Sequence, residues 1–264
     1  MNFENYETIA AERAGRILTL TLNRPDKYNA TDAQMHEELS TIFTDVARDT
    51  QSDVVILTGA GKAFCAGGDT VWMQKMIDDQ AHWRKTVTEA KRIVFGLLDL
   101  EKPIIAKVNG AAAGLGATIA LYCDVIFASD RAKIGDPHVS VGFVAGDGGS
   151  AIWPQLIGFA RAKELLMTGD LISAKQAAEI GLINHCVPHD ELDSRVQAFA
   201  EKLAVGPTRA IQWTKMAVNA TLRQIVSANL DMSLALEGLS NQSADHQEGV
   251  KAFNEKRSPK FTGQ

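Results

Sequence analysis

The feature that most constrains the fold is a buried strand pattern that leads through a glycine-rich turn into a helix of small residues. The β-branched run 104–108 is followed by Asn109-Gly110-Ala111-Ala112-Ala113-Gly114-Leu115-Gly116-Ala117-Thr118. Glycine and alanine at this density let the backbone turn tightly and lie close to a ligand. Because the first N–H groups of a helix have no intrahelical partner, the turn predicts a site for a phosphate, a carboxylate or a developing oxyanion. A dinucleotide fingerprint is excluded, since it requires glycine where Ile119 stands.

A second stretch of the chain has the same design. Val54-Val55-Ile56-Leu57-Thr58 is a continuous apolar run of strand length, which favours burial on both faces. It ends in Gly59-Ala60-Gly61-Lys62-Ala63-Phe64-Cys65-Ala66-Gly67-Gly68-Asp69, again rich in small residues. The recurrence of a buried strand before a glycine-rich turn indicates a repeated structural unit.

Strand and helix patterns alternate up to about residue 190, and only helical patterns follow. This change predicts an α/β core with a helical tail. We place the core at residues 1–204 and the helical C-terminal region at residues 205–264.

Charge and composition exclude several classes of function. A net charge of −5 and a pI near 5.7 argue against a nucleic-acid partner, which normally selects a basic face. Three scattered cysteines and scattered histidines lack disulfide or metal spacing, which predicts a reducing cytoplasm and no metal site. No apolar run approaches the ~20 residues of a membrane span, and no targeting segment is visible at the start. We expect a soluble cytoplasmic protein without a membrane partner.

With both turns in hand, the chain resembles the crotonase (enoyl-CoA hydratase/isomerase) superfamily. The matching motifs are Gly61-Lys62-Ala63-Phe64-Cys65-Ala66-Gly67-Gly68-Asp69 and Val108-Asn109-Gly110-Ala111-Ala112-Ala113-Gly114-Leu115-Gly116. Similar features occur early, at Arg24-Pro25 and Asn29-Ala30, and late, at Ala252-Phe253-Asn254-Glu255-Lys256-Arg257. The resemblance therefore covers nearly the whole chain.

The resemblance implies an α/β fold, a crotonase-type spiral of β-β-α units whose helical C-terminal region packs homotrimers, often as dimers of trimers. It implies an acyl-CoA substrate, with CoA as part of that substrate and no prosthetic group. The thioester enolate would lie in an oxyanion hole formed by the N–H groups of Gly68 and Leu115. The CoA contacts implied by position are Lys27, Ala66, Gly68 and Asp69, together with Lys260 and Phe261 of a neighbouring subunit.

Two departures from the family pattern bear on the reaction. Hydratases of this family carry one catalytic Glu at the position of Thr118 and a second at the position of His138. Since neither carboxylate is present, the two-Glu mechanism of hydration does not transfer. Leu115 also departs, because glycine is common at that oxyanion position.

His138 and Asp147 lie in the loop after residue 135 and can replace the missing carboxylates. We predict a dyad in which the carboxylate orients the imidazole, which titrates near working pH and can shuttle a proton. This loop resembles that of the β-diketone hydrolase branch typified by 6-oxocamphor hydrolase, where a His and an Asp assist C–C bond cleavage. That branch has a second His at the position of Leu115. Other interpretations make Asp147 a helix cap and Asp136 a turn residue.

Three functions follow. The leading hypothesis is a lyase or isomerase acting on an acyl-CoA thioester through the oxyanion hole and the His138/Asp147 pair. The first alternative is a hydrolase of a C–C bond in a β-dicarbonyl compound. The second is a non-catalytic acyl-CoA binder. Trp72, Met73, Met76 and Trp83 form a helix face that lines an acyl pocket in one interpretation and belongs to the core in the other.

Overall fold

The computed structural model describes residues 3–264, and in that range it has two sheets and nine α-helices. The strands are β1 (Ile9–Ala14), β2 (Ile17–Leu22), β3 (Val54–Gly59), β4 (Ala63–Cys65), β5 (Ile104–Val108), β6 (Ala111–Ala113), β7 (Val125–Ser129), β8 (Lys133–Gly135), β9 (Ile172–Ser173) and β10 (His185–Val187). The helices are α1 (Ala33–Arg48), α2 (Thr70–Asp78), α3 (Gln80–Asp99), α4 (Leu115–Leu121), α5 (Gly149–Thr168), α6 (Ala174–Glu179), α7 (Leu192–Ala204), α8 (Thr208–Asn241) and α9 (Ala244–Asn254). Short 3₁₀ helices occupy Pro25–Lys27, His138–Val141 and His189–Glu191.

The two sheets are built from the repeated unit that the two glycine-rich turns predict. The larger sheet has the order β1-β2-β3-β5-β7-β10 and the smaller one β4-β6-β8-β9. The pairs β3/β4, β5/β6 and β7/β8 each send one strand to each sheet before the chain returns through helices. The pairings are parallel except for β1 with β2 and β8 with β9. The predicted α/β class with a spiral of β-β-α units is confirmed.

Aspartates set the start of two helices. Asp79 separates α2 from α3, and its side chain accepts a hydrogen bond from the Ala81 N–H. Helix α1 is capped by Asp32, while the backbone of the preceding Thr31 is engaged in a bridge to Gly68. In both cases a carboxylate that accepts an early helical N–H sets the helix start.

The C-terminal helices pack directly on the core. Helix α8 contacts α3 and α5, while α9 contacts α2 and the 3₁₀ helix His138–Val141. The contact is close, because a Cβ added at Gly249 of α9 would lie 2.7 Å from the Val141 Cα. The predicted helical tail is present, and the boundary at 204/205 stays a prediction. No helix between residues 3 and 264 combines the length and the apolar character needed to cross a membrane.

Candidate active site

The two glycine-rich turns present two backbone N–H groups that the fold does not use. In the bridge between Thr31 and the first turn, Thr31 N donates to Gly67 O at 2.7 Å and Asp69 N donates to Thr31 O at 2.8 Å. The N–H of Gly68, which lies between these two bonds, donates to neither partner. Leu115 is the first residue of α4, so its N–H has no partner within the helix. Within residues 3–264 neither N–H donates a hydrogen bond, and both are available to an external oxygen.

Glycine is required where these turns approach each other. Gly67 and Gly114 have φ values of +94° and +53°, which L side chains rarely adopt. A Cβ on Gly114 would lie 3.8 Å from the Gly67 Cα and 3.3 Å from the His138 Cε1. The turns therefore contact each other, and the His138 ring lies against the second turn.

His138 is held between two carboxylates. The residue is 8% exposed, its Nδ1 is hydrogen-bonded to Asp136 Oδ1, and its Nε2 lies 3.8 Å from Asp147 Oδ2. The structure thus brings together His138 and Asp147 as the sequence predicts, but Asp136, interpreted as a turn residue, is the carboxylate at Nδ1, while Asp147 faces Nε2. Asp136 takes Nδ1 because the turn at Pro137 folds His138 back over the Asp136 carboxylate, which also accepts the His138 N–H at 3.4 Å.

Asp147 faces the opposite nitrogen of the ring. Its Oδ1 accepts a hydrogen bond from Thr118 Oγ1 at 3.0 Å. The cap residue of α5 is Gly148, so the cap interpretation of Asp147 does not hold, although the Gly149 N–H also stabilises its charge. Thr118, at the position where family hydratases carry a carboxylate, thus supports a carboxylate supplied by another part of the chain.

The charges of this cluster follow from burial and proximity. Burial opposes a charge on His138, but the carboxylates of Asp136 and Asp147 outweigh it and raise the pKa of His138 to about 10. Burial raises the pKa of Asp147, and the neighbouring imidazolium partly offsets that effect. At rest His138 is therefore an imidazolium, with a carboxylate more basic than an exposed one beside it.

A third acid, Glu237, was missed in the sequence. It lies on α8, is 4% exposed, and its Oε2 has no hydrogen-bond partner within residues 3–264. Burial, reinforced by Asp147, raises its pKa well above the ordinary value, which favours the neutral carboxylic acid. One signal was available: Glu237 continues the buried stripe of Leu230 and Leu234 along the helix.

Two cavities meet at these groups. An outer cavity of about 200 Å³ is lined by Ala66, Gly68, Gly114, His138, Phe253 and Arg257, among others. An inner one of about 40 Å³ is lined by Gly68, Leu115, His138, Asp147, Glu237 and His36, among others. Gly68 and His138 line both, so they mark the junction. A larger polar depression of about 600 Å³ contains none of the site residues and takes no part in this arrangement.

The aromatic and methionine face has both of the roles considered for it. Trp72, Met76 and Trp83 pack in a small cluster with Phe143, and Met73 packs against that cluster. All five side chains also line the inner cavity. These side chains therefore pack against one another and at the same time form a wall of the inner cavity.

The residues expected to contact CoA are dispersed. Ala66 and Gly68 line the outer cavity, whereas Asp69 accepts hydrogen bonds from Val71 N at 3.0 Å and Arg24 Nη2 at 3.4 Å. Lys27 is exposed on its 3₁₀ helix.

Lys260 and Phe261 follow α9 and line neither cavity of their own chain. The same chain supplies Phe253 and Arg257 to the outer cavity instead. A role for Lys260 and Phe261 towards a neighbouring subunit stays a prediction.

Ligand atoms of Asp136, His138 and Asp147 lie within 4.8 Å of one another, a spacing compatible with a metal ion. The Nδ1 of His138 is, however, committed to Asp136, and the cluster as it stands is a hydrogen-bonded acid–base group. The expectation that no metal binds here stays a prediction.

Comparisons with known proteins agree on the family. Residues 12–264 match the family described as enoyl-CoA hydratase/isomerase. The chain is 37% identical over 251 residues to 1,2-epoxyphenylacetyl-CoA isomerase of Escherichia coli (strain K12), covering 94% of this chain and 95% of that one.

Two solved structures are similar to the whole fold. An enoyl-CoA hydratase/isomerase from Mycobacterium paratuberculosis superposes with a TM-score of 0.90 at 35% identity, covering 92% of this chain and 97% of the other. A β-diketone hydrolase from Anabaena sp. PCC 7120, bound to (S)-3-oxocyclohexyl acetic acid, superposes with a TM-score of 0.85 at 32% identity, covering 91% of this chain and 96% of the other.

Proposed function

Since the chain belongs to the enoyl-CoA hydratase/isomerase family, we propose that it is an acyl-CoA isomerase that moves a proton beside the thioester carbonyl. The carbonyl oxygen accepts hydrogen bonds from the N–H groups of Gly68 and Leu115, and Asp147 and His138 handle the proton. One observation carries the proposal: the residues with the two unused N–H groups, Gly68 and Leu115, line the inner cavity in which buried His138 faces the buried carboxyl group of Asp147.

The reaction follows from these protonation states. Asp147 removes a proton from the carbon next to the carbonyl, and the electron pair of that C–H bond passes into an enolate. The two N–H groups stabilise the enolate oxygen, which is the largest contribution such a site makes. The Nε2 of His138 then delivers its proton to another carbon of the conjugated system, so a C–H bond forms and the double bond has moved. Proton transfer from Asp147 to His138, across the 3.8 Å that separates them, restores the resting state.

Asp136 and Glu237 support this chemistry without exchanging protons with the substrate. Asp136 fixes the ring through Nδ1, so that only Nε2 faces the cavity. Glu237, as a neutral acid, adds no negative charge next to the developing enolate. This division of labour explains how a chain without the two family glutamates retains an acid and a base.

The test measures deuterium incorporation next to the thioester carbonyl of saturated and unsaturated acyl-CoA substrates in D₂O. We expect exchange by the parent protein and a fall of about 10²–10⁴-fold for His138→Ala and Asp147→Asn. His82→Ala is the matched control, because His82 pairs with Asp79 at 2.9 Å but lies exposed, away from both cavities.

Other outcomes separate the rival functions. Binding of CoA thioesters with no exchange and no turnover would identify a non-catalytic binder. An unchanged rate in His138→Ala would refute the assigned chemistry.

A second candidate, hydrolysis of a C–C bond in a β-dicarbonyl compound, is favoured by the similarity to the β-diketone hydrolase. In that reaction Asp147 takes a proton from water as its oxygen adds to the second carbonyl. The C–C bond then breaks, its electron pair passes into an enolate held by the same N–H groups, and His138 protonates the enolate carbon. Cleavage of a cyclic β-diketone without any affinity for CoA would select this candidate over the isomerase.

A further inference from the structure

The inner cavity has a second polar group that the proposed proton transfer does not use. His36 of α1 is hydrogen-bonded through Nδ1 to Glu89 Oε2 of α3 at 2.7 Å. The two residues are 2% and 5% exposed, so the pair is almost completely buried. His36 lines the inner cavity but not the outer one, and therefore lies beyond the junction at Gly68 and His138.

The other ring nitrogen of His36 is free to bind a ligand. Nε2 has no hydrogen-bond partner within residues 3–264, yet it is not sealed in the interior as the unpartnered Nε2 of His246 is. The open surface that it retains belongs to a residue lining the inner cavity. Since Nδ1 is bonded to Glu89, Nε2 is the nitrogen of His36 that can contact an acyl group.

Helix packing alone does not explain the pair. A buried histidine–carboxylate pair pays a desolvation cost that apolar side chains of similar volume avoid. The surrounding wall is apolar on one side, where the His36 ring packs on Trp72 with centroids 4.9 Å apart. Glu89 fixes the imidazole so that its direction does not change when a ligand enters, which is how a specificity contact is preorganised.

The charges around the cavity limit what His36 recognises. Glu89 lies behind the ring and Asp147 lines the same cavity, so a carboxylate on the acyl chain would meet two carboxyl groups. His138 also lines this cavity, but its ring already lies between Asp136 and Asp147. Lys85, 3.5 Å from Glu89 Oε1, is a nearby cation, but it also pairs with Glu37 at 2.8 Å and is half exposed. A neutral oxygen has no such penalty.

We propose that His36, positioned by Glu89, selects acyl groups that carry a hydroxyl or carbonyl oxygen remote from the thioester. The inference rests on the proposed function, because it places the thioester carbonyl at Gly68 and Leu115. The apolar wall of Trp72 and Met76 accommodates the carbon chain. Because Glu89 occupies Nδ1, the Nε2 of His36 is the atom that hydrogen-bonds the remote oxygen.

The test compares dissociation constants by calorimetry for five-carbon CoA thioesters. The ligands are pentanoyl-CoA, its 4-hydroxy, 5-hydroxy, 4-oxo and 5-oxo derivatives, and glutaryl-CoA as the carboxylate. We expect at least one oxygenated derivative to bind about tenfold more tightly than pentanoyl-CoA, the value of one well-placed hydrogen bond. Glutaryl-CoA should bind no more tightly than pentanoyl-CoA.

Variants then assign that preference. His36→Leu should abolish this preference, measured as the ratio of the two dissociation constants within the same variant, whereas His82→Leu, which removes an exposed histidine paired with Asp79, should preserve it. Should Glu89 without its partner prevent folding, the double variant His36→Leu/Glu89→Leu replaces both members by apolar groups, which a core tolerates better.

The outcomes separate this inference from the proposed function. No binding of pentanoyl-CoA would contradict the proposed acyl-CoA activity itself. Binding of pentanoyl-CoA with no preference for any oxygenated derivative would overturn the role of His36. A preference that survives in His36→Leu, or tighter binding of glutaryl-CoA, would overturn it equally.

Discussion

His138 and His246 are both buried and both contact Phe143, yet their protonation is opposite. The ring centroids lie 5.6 Å from Phe143 for His138 and 4.3 Å for His246, which stacks on it. Two carboxylates raise the pKa of His138 to about 10 against the effect of burial. Burial lowers the pKa of His246 to about 4, and the charge of His138 also lowers it, although the Val141 carbonyl, 2.8 Å from Nδ1, acts in the opposite direction. Burial by itself therefore does not decide the charge of a histidine; the groups hydrogen-bonded to its nitrogens do.

The largest effect is expected from removing the carboxylate of Asp136, which fixes His138. Asp136→Asn keeps the shape and an acceptor at Nδ1 but removes a negative charge. We expect the pKa of His138 to fall and kcat/KM for the acyl-CoA reaction to drop by about 10²–10⁴-fold, because the resting acid is lost. The measurements are steady-state kinetics and NMR titration of the imidazole. A variant with unchanged activity and an unchanged titration would show that Asp136 does not set the charge of His138.

The next test uses the pH dependence of stability at His246. The unfolded histidine binds a proton below about pH 6.5 and the folded one only below about pH 4, so the unfolded state holds more protons between these values. The stability is therefore complete above pH 6.5 and decreases as the pH falls towards 4, by about 3 kcal/mol.

Denaturant unfolding at several pH values measures this dependence. His246→Phe keeps a ring stacked on Phe143 and should flatten the curve between pH 6.5 and 4. An equally steep loss of stability in the variant would assign the acid sensitivity to other groups. At pH 7 the variant should be about 1–3 kcal/mol less stable than the parent, because the buried Val141 carbonyl loses its hydrogen bond, so the comparison is made on the slope with pH.

The smallest effect is expected at Glu237. Because its pKa is raised well above the ordinary value, the neutral acid is favoured, and Glu237→Gln is a neutral replacement of nearly the same shape. We expect kcat/KM at neutral pH to stay within about threefold of the parent, an energy of less than about 1 kcal/mol. A fall of a hundredfold would show that an ionised Glu237 takes part in the reaction. Glu237→Asp, which retains an acid but shortens it, is the matched control for geometry.

The sequence was most informative where function depends on the local backbone. Strand, turn and helix at 104–121 lie within one short segment, so the position of the Leu115 N–H could be predicted from neighbouring residues. The same holds for the turn that ends in Gly68.

Side-chain partners were harder to predict. Asp136 is only two residues from His138, but whether its carboxylate turns back to Nδ1 depends on the torsion angles around Pro137, for which the sequence has no pattern. Glu237 reaches the site from α8, and no periodicity relates it to His138. The contact of His36 with Glu89 joins two helices in the same way. Residue patterns predict helices, strands and turns, but they do not predict which two side chains far apart in the sequence come into contact.

The docking of α9 on the 3₁₀ helix of His138 has a consequence for how the molecule holds together. The outer cavity is walled by the Gly67–Gly68 turn on one side and by Phe253 and Arg257 on the other. In the proposed function a thioester bound there would contact both, so its binding energy would add to the cohesion between the α/β core and the final helices. The substrate would then stabilise the fold itself, and the last part of the chain would be held most firmly while the site is occupied.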